Sequence, residues 1–442
     1  MNFNKVTYCL IFFALGSILL EGCVNDEQTT PSGFEDNAES DLVEAWIEIQ
    51  LPLIQYTPGF QAPIVARAIG YTGLTLYESL VPGLTKYNSI SNEIQEFPIL
   101  TYDEDLEFNW FLVANSSMLE VCKSLYSDAP SRLYPSGIET LFDSLNNVYG
   151  RNQEVDSRSI ALGEVWGKSI AEWATTDGGA GAQSNNFPVY DPPEGPEKWV
   201  PVEFGQALLP FWSQNRTFIP GIVGSTQPDG HPEFSIEENS EFYLEALEVY
   251  QTVNSLSEEE REIAFFWTDD PLSTYTPPGH FLSILLQILQ NDKIDLGRAV
   301  EAYCKLGISQ NDAFISCWET KYGFNLLRPS TYIQRHIDQF WSSEIINPPF
   351  PEYSSGHSTQ SAAAAKVLAS VFGENYKFTD STHLDLDLGL GSRSYSSFYE
   401  AAEEAGLSRI YGGIHYQFGN LDGRKQGYEV ADFVIDLPFK RQ

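Results

Sequence analysis

The sequence predicts an all-α protein, a helical bundle whose helices are joined by long Pro/Gly-rich loops. Six segments place apolar residues three and four positions apart, which is the spacing that collects them on one face of a helix. The 442 residues contain no series of alternating strand-like segments and no internal repeat. Proline and glycine are frequent between the helical segments, above all in 178–240 and 341–356, so these are predicted to be loops.

The predicted helices follow one another along the chain. They are 65–80, 157–175, 240–256, 281–290, 296–324 and 359–373. The last of them has the sequence TQSAAAAKVLASVFG and is a helix of small residues. No linker or charge block interrupts the chain after residue 41, so we predict one helical domain over 41–442.

The N-terminus has the features of a lipoprotein signal peptide. Lys5 precedes an apolar run from Val6 to Leu20, and Leu20-Glu21-Gly22-Cys23 resembles a lipobox. An uncleaved anchor is the alternative, but the run is short for a membrane span. We therefore expect residues 1–22 to be removed and Cys23 to be lipidated. The protein would then be exported and held to a bacterial membrane, in the periplasm or at the cell surface.

Residues 23–40 are acidic and polar, which is typical of a flexible tether. No later segment is long and apolar enough to cross a membrane, so the lipid on Cys23 would be the one attachment to it. The formal net charge is −36, with 61 acidic and 25 basic residues. Nucleic acid would be repelled by this charge, so we do not expect it as a partner.

The cysteines give little sign of a metal or redox site. Cys9 would leave with the signal peptide, and Cys122, Cys304 and Cys317 would remain as an odd set that permits one disulfide at most. Neither a CxxC nor an HExxH pattern occurs, so zinc and a redox dithiol are not indicated.

Three separated segments in the last third of the chain favour a pocket for a tetrahedral oxyanion. The first, KYGFNLLRP, contains Lys321 and Arg328. Seven residues apart, they would lie two turns apart on one helix face, and Pro329 would end the helix at Arg328. Arginine offers a planar fork for two oxygens, and lysine a compact charge. A solvated helix face is the alternative, but the flanking sequence AFISCWETKYGFNLL is too apolar for it.

The second segment, EYSSGHST, precedes the small-residue helix. Ser355 is placed to cap that helix, Gly356 lets the backbone approach a ligand, and the first N–H groups of a helix suit an anion. His357, in the first turn, can act as an acid or base near neutral pH. An ordinary capped helix with an exposed histidine is the alternative.

The third segment, SRIYGGIH, contains Arg409 and His415. The glycines between them, Gly412 and Gly413, are expected to bring the main chain close to a ligand. A lone histidine near apolar residues is more often a satisfied core residue than a metal ligand. The neighbouring arginine and the other two segments favour the functional interpretation here.

Together the three segments resemble the active-site signature shared by vanadium-dependent haloperoxidases and type 2 phosphatidic acid phosphatases. In that signature, lysine is followed by six residues and Arg-Pro, then by Pro-Ser-Gly-His, and then by Ser-Arg, five residues, His, three residues and Asp. The chain departs from it twice, because Ser354 replaces the proline and Gly419 stands where aspartate is usual. The aspartate orients the histidine in the phosphatases, so its loss disfavours that branch. A backbone carbonyl or Asp422 is expected to take over this role.

The resemblance to the haloperoxidases extends from about residue 41 to the C-terminus. It includes the opening segment AWIEIQLPLIQYTPGFQAPIVARAIGYTGLTLYESL, the Pro- and Trp-rich segment YDPPEGPEKWVPVEFGQALLPFWSQNRTF and FFWTDDPLSTYTPPGHFLSI. It implies two four-helix bundles with vanadate, vanadium(V), as the cofactor between facing helices. The residues that it implies as vanadate ligands or hydrogen-bond donors are Lys321, Arg328, Ser355, Gly356, His357, Arg409 and His415.

The resemblance also implies individual roles. His415 would bind the vanadium, His357 would move protons, and Lys321 would polarise the bound oxidant. Trp318 and Phe350 would lie beside the path of the halide, and Asp270 or Asp269 would pair with an active-site arginine. His280 is a further candidate for an outer contact, although a helix cap or a loop contact explains these last residues equally well.

The substrates implied are hydrogen peroxide, a halide and a small organic acceptor. Iodide is our first choice and bromide our second, with hypohalous acid as the product. The main alternative is a lipid-anchored acid phosphatase in which His415 attacks phosphorus and His357 protonates the leaving group. A surface binding protein that only retains the fold is the third interpretation, and survival of the complete set of charged residues argues against it.

Overall fold

The computed structural model describes residues 38–201, 205–384, 386 and 388–441. Within these residues it contains fourteen α-helices and one two-stranded sheet, so the all-α prediction is confirmed. The predicted signal peptide, Cys23 and nearly all of the predicted tether lie outside the described residues.

The first nine helices, α1 to α9, are Asp41–Tyr56, Ala62–Leu80, Trp110–Leu125, Ser136–Tyr149, Gln153–Ala174, Ile222–Ser225, Glu241–Asn254, Glu258–Phe266 and Thr276–Asp292. The last five, α10 to α14, are Leu296–Phe324, Pro329–His336, Gly356–Phe372, Phe398–Tyr411 and Gln417–Ile435. The strands are β1, Phe378–Asp380, and β2, Arg393–Tyr395. The six helices predicted from apolar spacing correspond to α2, α5, α7, α9, α10 and α12.

The antiparallel β1–β2 pair was not predicted. Phe378 faces Tyr395 and Asp380 faces Arg393 in its register. Strand prediction depends on the alternation of apolar and polar residues, and three residues per strand are too few to display it.

Helix α10 lies at the centre of the fold and is buried along most of its 29 residues. It packs against α2 on one side, where α3, α5 and α9 complete a first group of helices. On another side it packs against α12, which in turn contacts α13 and α14. This arrangement places the residues of all three sequence segments around the C-terminal half of α10.

A stripe of glycines lets α14 approach α12 closely. Gly419, Gly423 and Gly427 are four residues apart and therefore share one face of α14. A Cβ atom at Gly423 would lie 2.7 Å from the carbonyl oxygen of Ser355, and one at Gly427 would lie 2.1 Å from that of Thr359. The stripe therefore fixes the start of α12 against the start of α14.

Cys122, Cys304 and Cys317 are buried free thiols in the described part of the chain. The one disulfide that the sequence permitted is therefore absent among them. No helix in the described ranges has both the length and the apolar character needed to cross a membrane.

Candidate active site

A cavity of about 290 Å³ lies beside α10, at the start of α12 and the end of α13. Its walls include residues from the second and third segments singled out in the sequence, while Lys321 and Arg328 of the first lie against Phe350 in the wall. The predicted site residues among them are Trp318, Phe350, Gly356, His357, Asp270, Arg409 and His415. Segments that are almost a hundred residues apart therefore meet in one place.

Contrary to the prediction, Lys321 and Arg328 do not lie on one helix face. Helix α10 ends at Phe324 because Asn325 adopts a left-handed conformation (φ 51°), and Arg328 caps the next helix, α11, with extended backbone (ψ 154°). The proline after Arg328 disfavours the helical conformation there, as expected, but the chain had already left the helix. Both side chains nonetheless lie over the ring of Phe350, with Lys321 Nζ and Arg328 Cζ each 5.0 Å from its centroid.

The Lys321 ammonium group binds the loop before α12. It donates to the carbonyl oxygens of Pro351, Glu352 and Ser354, at 3.1, 2.9 and 2.5 Å. An ammonium group has three hydrogens, so these bonds account for all of them. Lys321 is fully buried, and this burial lowers its pKa to about 8. In this structure it therefore contributes positive charge and holds the loop, while direct donation to an oxyanion would require one carbonyl to be exchanged.

Arg328 joins the same loop to His415. Its Nη1 donates to the carbonyl oxygen of Ile414 at 2.8 Å and lies 3.2 Å from His415 Nε2. Its Nε and Nη2 both donate to the carbonyl oxygen of Phe350, at 3.1 Å. Because a guanidinium group only donates, Nε2 of His415 is the acceptor in this contact.

Ser355 caps α12 as the sequence predicts. Its hydroxyl oxygen accepts from the N–H of Ser358 at 3.4 Å, and its own N–H donates to the carbonyl oxygen of Gly419 at 2.9 Å. Helix α12 begins at Gly356, whose absent side chain leaves its N-terminal face toward the cavity uncovered. The helix N-terminus expected for anion binding is therefore present at the site.

His357 lines the cavity and is half-buried rather than exposed, with its Nε2 atom shielded from solvent. Its Nε2 has no hydrogen-bond partner within the described residues, so Nδ1 makes its hydrogen bond to the main chain of Trp267. Burial, followed by the charges of Arg409 and Lys321, lowers the pKa of His357 well below its ordinary value. The ring is therefore neutral near pH 7, with a lone pair on Nε2.

Arg409 enters the site from the last turn of α13. Its Nε donates to the Ser408 hydroxyl at 2.9 Å and its Nη2 to the Ala264 carbonyl at 3.2 Å. Burial lowers the pKa of Arg409 to about 10, against the opposing effect of Asp269 and Asp270. The guanidinium remains charged at neutral pH, and it supplies the third buried cation of the site.

His415 lies in the turn between α13 and α14, and its partner is a residue that the sequence analysis missed. Its Nδ1 is 2.6 Å from Oε1 of Glu352, and the main-chain N–H of Tyr416 donates to the same oxygen at 3.2 Å. Burial raises the pKa of Glu352 to about 7, although Lys321 and Arg328 act in the opposite direction. Burial also lowers the pKa of His415 well below its ordinary value, and Arg328 and Lys321 reinforce this effect.

The suggestion that Asp422 supports His415 is wrong. The Asp422 carboxylate accepts a hydrogen bond from the Tyr353 hydroxyl at 2.6 Å instead. The signal that could have identified Glu352 is an acidic residue three positions before Ser355 in a chain that lacks the usual aspartate at position 419. The carboxylate that is absent at position 419 is thus supplied by position 352, from a segment that is distant along the chain but adjacent in the fold.

The glycine pair before His415 serves a different purpose from the one expected. A Cβ atom at Gly412 would lie 2.5 Å from Cδ1 of Ile345, and one at Gly413 would lie 3.0 Å from Trp341. Gly413 also has a positive φ of 76°, which favours glycine. The pair thus lets the 341–345 loop pack against the turn, and Ile345 then forms part of the cavity wall.

A buried network of acidic and histidine side chains supports the wall near Arg409. His280 lies between two carboxylates, with Nδ1 2.9 Å from Asp269 and Nε2 2.7 Å from Asp380. Asp269 and Asp270 both line the cavity, and Arg409 lowers the pKa of Asp270 against the larger effect of burial, which raises it. The charges of Asp269 and Asp270 act on the pKa of Arg409, while a direct pairing of either aspartate with an arginine stays a prediction. His280 holds Asp269.

The stability of this network should depend on pH. Burial alone would lower the pKa of His280, but Asp269 and Asp380 outweigh it and raise the pKa to about 10. The charged ring therefore stabilises the folded state fully below about pH 6.5 and loses this effect as the pH rises toward 10. Urea unfolding at pH 6.5 and pH 9.5 should show a larger fall in unfolding free energy for the wild type than for His280→Gln.

His336→Gln is the matched control, because His336 is an exposed histidine at the end of α11. It should retain the pH dependence of the wild type. An equal fall in unfolding free energy for the wild type and for His280→Gln would show that the His280 ring is neutral in the folded protein.

Residues 301–440 match the family described as VCPO second helical-bundle domain. The fold is also similar to a bacterial vanadium-dependent chloroperoxidase in its holo form, with a TM-score of 0.67 and 16% identity over 91% of this chain and 98% of that one. The apo form gives a TM-score of 0.66 at the same identity and coverage. No match was found among curated proteins.

The crystal structure described as that of the first bacterial vanadium-dependent iodoperoxidase is more similar. The two share 33% identity with a TM-score of 0.81, and the likeness covers 93% of this chain and 99% of that one. Similarity at this level over nearly the whole length goes beyond a shared fold. Together with the converging lysine, arginine and histidine side chains, it shows that the chain belongs to the vanadium-dependent haloperoxidase family.

Proposed function

We propose that this haloperoxidase uses vanadate and hydrogen peroxide to oxidise iodide, with bromide as its second substrate. The observation that carries the proposal is one cavity lined by Arg409 and two neutral histidines, with the buried cations Lys321 and Arg328 against Phe350 in its wall. Vanadate is the cofactor that the family membership implies, and hydrogen peroxide and a halide are the substrates. The hypohalous acid formed would halogenate small organic acceptors.

The residues present fit a tetrahedral oxyanion. Lys321, Arg328 and Arg409 supply three positive charges in a buried setting where charge interactions are strong. The first N–H groups of α12 and the Ser355 hydroxyl supply neutral donors at a helix N-terminus. Buried cations without a bound anion are costly, so the site favours an anionic occupant.

His415 would be the protein ligand to the metal. The contacts of Nδ1 with Glu352 and of Nε2 with Arg328 place the lone pair on Nε2, where a metal would bind in exchange for the hydrogen bond from Arg328. When bound there, vanadate would supply Lewis-acid chemistry that activates peroxide toward a halide.

His357 would move protons during turnover. Its Nε2 is an unpartnered acceptor shielded from solvent, and burial, reinforced by the neighbouring cations, keeps the ring neutral by lowering its pKa. Peroxide that enters the cavity must lose a proton before it can act as an anionic ligand, and Nε2 is placed to accept it. The bond from Nδ1 to the Trp267 main chain fixes the ring for this transfer.

The apolar walls support the choice of iodide. Trp318 and Phe350 pack with ring centroids 5.1 Å apart, and Phe314 and Ile345 extend the same wall. An anion that enters this space loses part of its hydration, and this cost is smallest for a large, weakly hydrated halide. Iodide is also the halide that is oxidised most easily. The similarity to the iodoperoxidase supports the same choice.

The organic acceptor and the location of the enzyme belong to the same proposal. The cavity is larger than peroxide and a halide require, and Phe265, Ile346 and Pro271 form part of its wall. A small apolar or aromatic acceptor suits this opening. Export and attachment through a lipid on Cys23 would place the reaction outside the cytoplasm, where the acidic surface stays highly solvated.

Acid phosphatase activity is the second candidate, because phosphate and vanadate have the same shape. The missing aspartate at position 419 does not argue against it, since Glu352 provides the acceptor that His415 needs. The peroxidase is favoured by the family membership and by the aromatic walls.

One set of assays distinguishes the two activities. Purified protein, with and without added vanadate, should be tested for peroxide-dependent oxidation of iodide, bromide and chloride, and for hydrolysis of a nitrophenyl phosphate. We expect vanadate-dependent oxidation that is fastest with iodide and slower with bromide. Strong hydrolysis without any vanadate-dependent oxidation would make the phosphatase the correct assignment.

A further inference from the structure

We propose that Glu352 is the positioning residue for His415. Its carboxylate, from a different segment of the chain, takes the role of the aspartate that is usual at position 419, where this chain has glycine. The proposal deepens the proposed function, because His415 is the residue assigned there to bind the metal. It rests on the position of one oxygen atom, on the hydrogen bonds around it and on the space that Gly419 leaves open.

The oxygen lies where an aspartate at position 419 would place its own. An ideal Cβ built on Gly419 would be 2.3 Å from Oε1 of Glu352. In an aspartate side chain, ordinary bond lengths put each carboxylate oxygen about 2.4 Å from Cβ. The Glu352 carboxylate therefore occupies the place of the missing one, and either residue, but not both, fits beside His415.

The hydrogen bonds determine which nitrogen of His415 carries the proton. Oε1 of Glu352 accepts from the Tyr416 main-chain N–H, so it offers lone pairs rather than a proton to Nδ1 at 2.6 Å. On the other side of the ring, Arg328 can only donate to Nε2. Both contacts favour the tautomer with hydrogen on Nδ1 and a lone pair on Nε2, which is the form that binds a metal.

Glu352 is itself held firmly. Its main-chain carbonyl accepts from Lys321, and its N–H donates to the Leu326 carbonyl at 2.9 Å. The glycine stripe of α14 allows the segment before α12 to approach closely enough for the carboxylate to reach His415. The side chain is completely buried, and its second oxygen, Oε2, has no partner among the described residues. A buried carboxylate with one free oxygen is costly, which indicates a functional reason for its presence.

The first test reads the tautomer without any cofactor. Protein labelled with ¹⁵N at its histidines should show His415 with a protonated Nδ1 and an unprotonated Nε2, with the resonance assigned by its loss in His415→Ala. Glu352→Ala should shift His415 toward a mixture of tautomers. Glu352→Gln should largely keep the wild-type tautomer, because the amide oxygen can still accept from Nδ1.

The second test measures vanadate binding by calorimetry on apo protein. Loss of an outer partner of a metal ligand typically weakens binding by about 10–100-fold, so we expect this increase in Kd for Glu352→Ala. Gly419→Asp alone should also weaken binding, because two carboxylates would compete for one place. The double variant Glu352→Ala/Gly419→Asp should recover binding to within about tenfold of the wild type, since the oxygen is restored.

Glu245→Ala is the matched control. The Glu245 carboxylate accepts from the N–H groups of Gln417 and Phe418 at 2.9 and 3.3 Å, and so it supports the same turn without touching His415. It should leave the tautomer unchanged. An unchanged tautomer and a Kd within twofold of the wild type in folded Glu352→Ala would overturn the proposal, as would equal losses in Glu245→Ala. If wild-type protein binds no vanadate, the proposed function fails, whereas the tautomer measurement still decides the role of Glu352.

Discussion

Substitution of His415 by alanine is expected to abolish the retention of vanadate. The Nε2 lone pair of His415 is the ligand assigned to the metal, and without it only charge and hydrogen bonds from the cations and the start of α12 would hold the oxyanion. Because even loss of an outer partner weakens binding by about 10–100-fold, we expect an increase in Kd of more than about 100-fold. Metal analysis after gel filtration and calorimetric titration with vanadate would measure it.

His336→Ala serves as the control for removal of a histidine in general, since His336 is exposed and does not line the cavity. It should retain vanadate as the wild type does. Far-UV circular dichroism and thermal unfolding would verify that His415→Ala is folded. Vanadate retention by folded His415→Ala at wild-type stoichiometry would exclude His415 as the metal ligand.

Substitution of His357 by alanine should give the opposite pattern, in which vanadate is retained and turnover is lost. His357 has a free Nε2 and contacts the main chain of Trp267, so its removal takes away a proton acceptor rather than a metal ligand. General acid–base groups contribute about 10²–10⁴-fold to rate, and kcat for iodide oxidation should fall by this factor. The Kd for vanadate should change by less than about tenfold.

The comparison of the two variants is more informative than either alone. A fall in kcat of His357→Ala that is matched by an equal loss of bound vanadate would show that His357 holds the cofactor. Unchanged kcat in vanadate-loaded His357→Ala would show that another group moves the proton. Raising the concentration of peroxide should not restore the kcat of His357→Ala, because the step that is lost is proton transfer rather than binding of peroxide.

The sequence was sufficient for the fold class because apolar spacing is a local property. Helices α2, α10 and α12 carry clear three- and four-residue spacing, and each lies where the pattern places it. Helix α14 was missed because Gly419, Gly423 and Gly427 replace apolar side chains on the face that packs against α12. Its burial depends on backbone contact, which leaves no hydrophobic pattern in the sequence.

The residues of the candidate site could be predicted from the sequence, but their local geometry and hydrogen-bond partners could not. Motif spacing identified Gly356, His357, Arg409 and His415, which line one cavity, and Lys321 and Arg328, which lie against Phe350 in its wall. The predicted helix end at Arg328 was wrong, because Asn325 adopts a left-handed conformation and ends α10 at Phe324, four residues earlier. The three carbonyl partners of Lys321 also lie about thirty residues away along the chain, and no local pattern predicts them.

The sequence by itself determined an all-α body and the set of charged and histidine residues, since periodicity and motif spacing are written along the chain. The tertiary structure alone decided that Glu352 rather than a residue of α14 accepts from His415. It also decided that His280 is held between Asp269 and Asp380. The physical reason is that a hydrogen bond depends on the separation of two atoms in space. Only the packing of the folded chain brings the Glu352 carboxylate within that separation of His415.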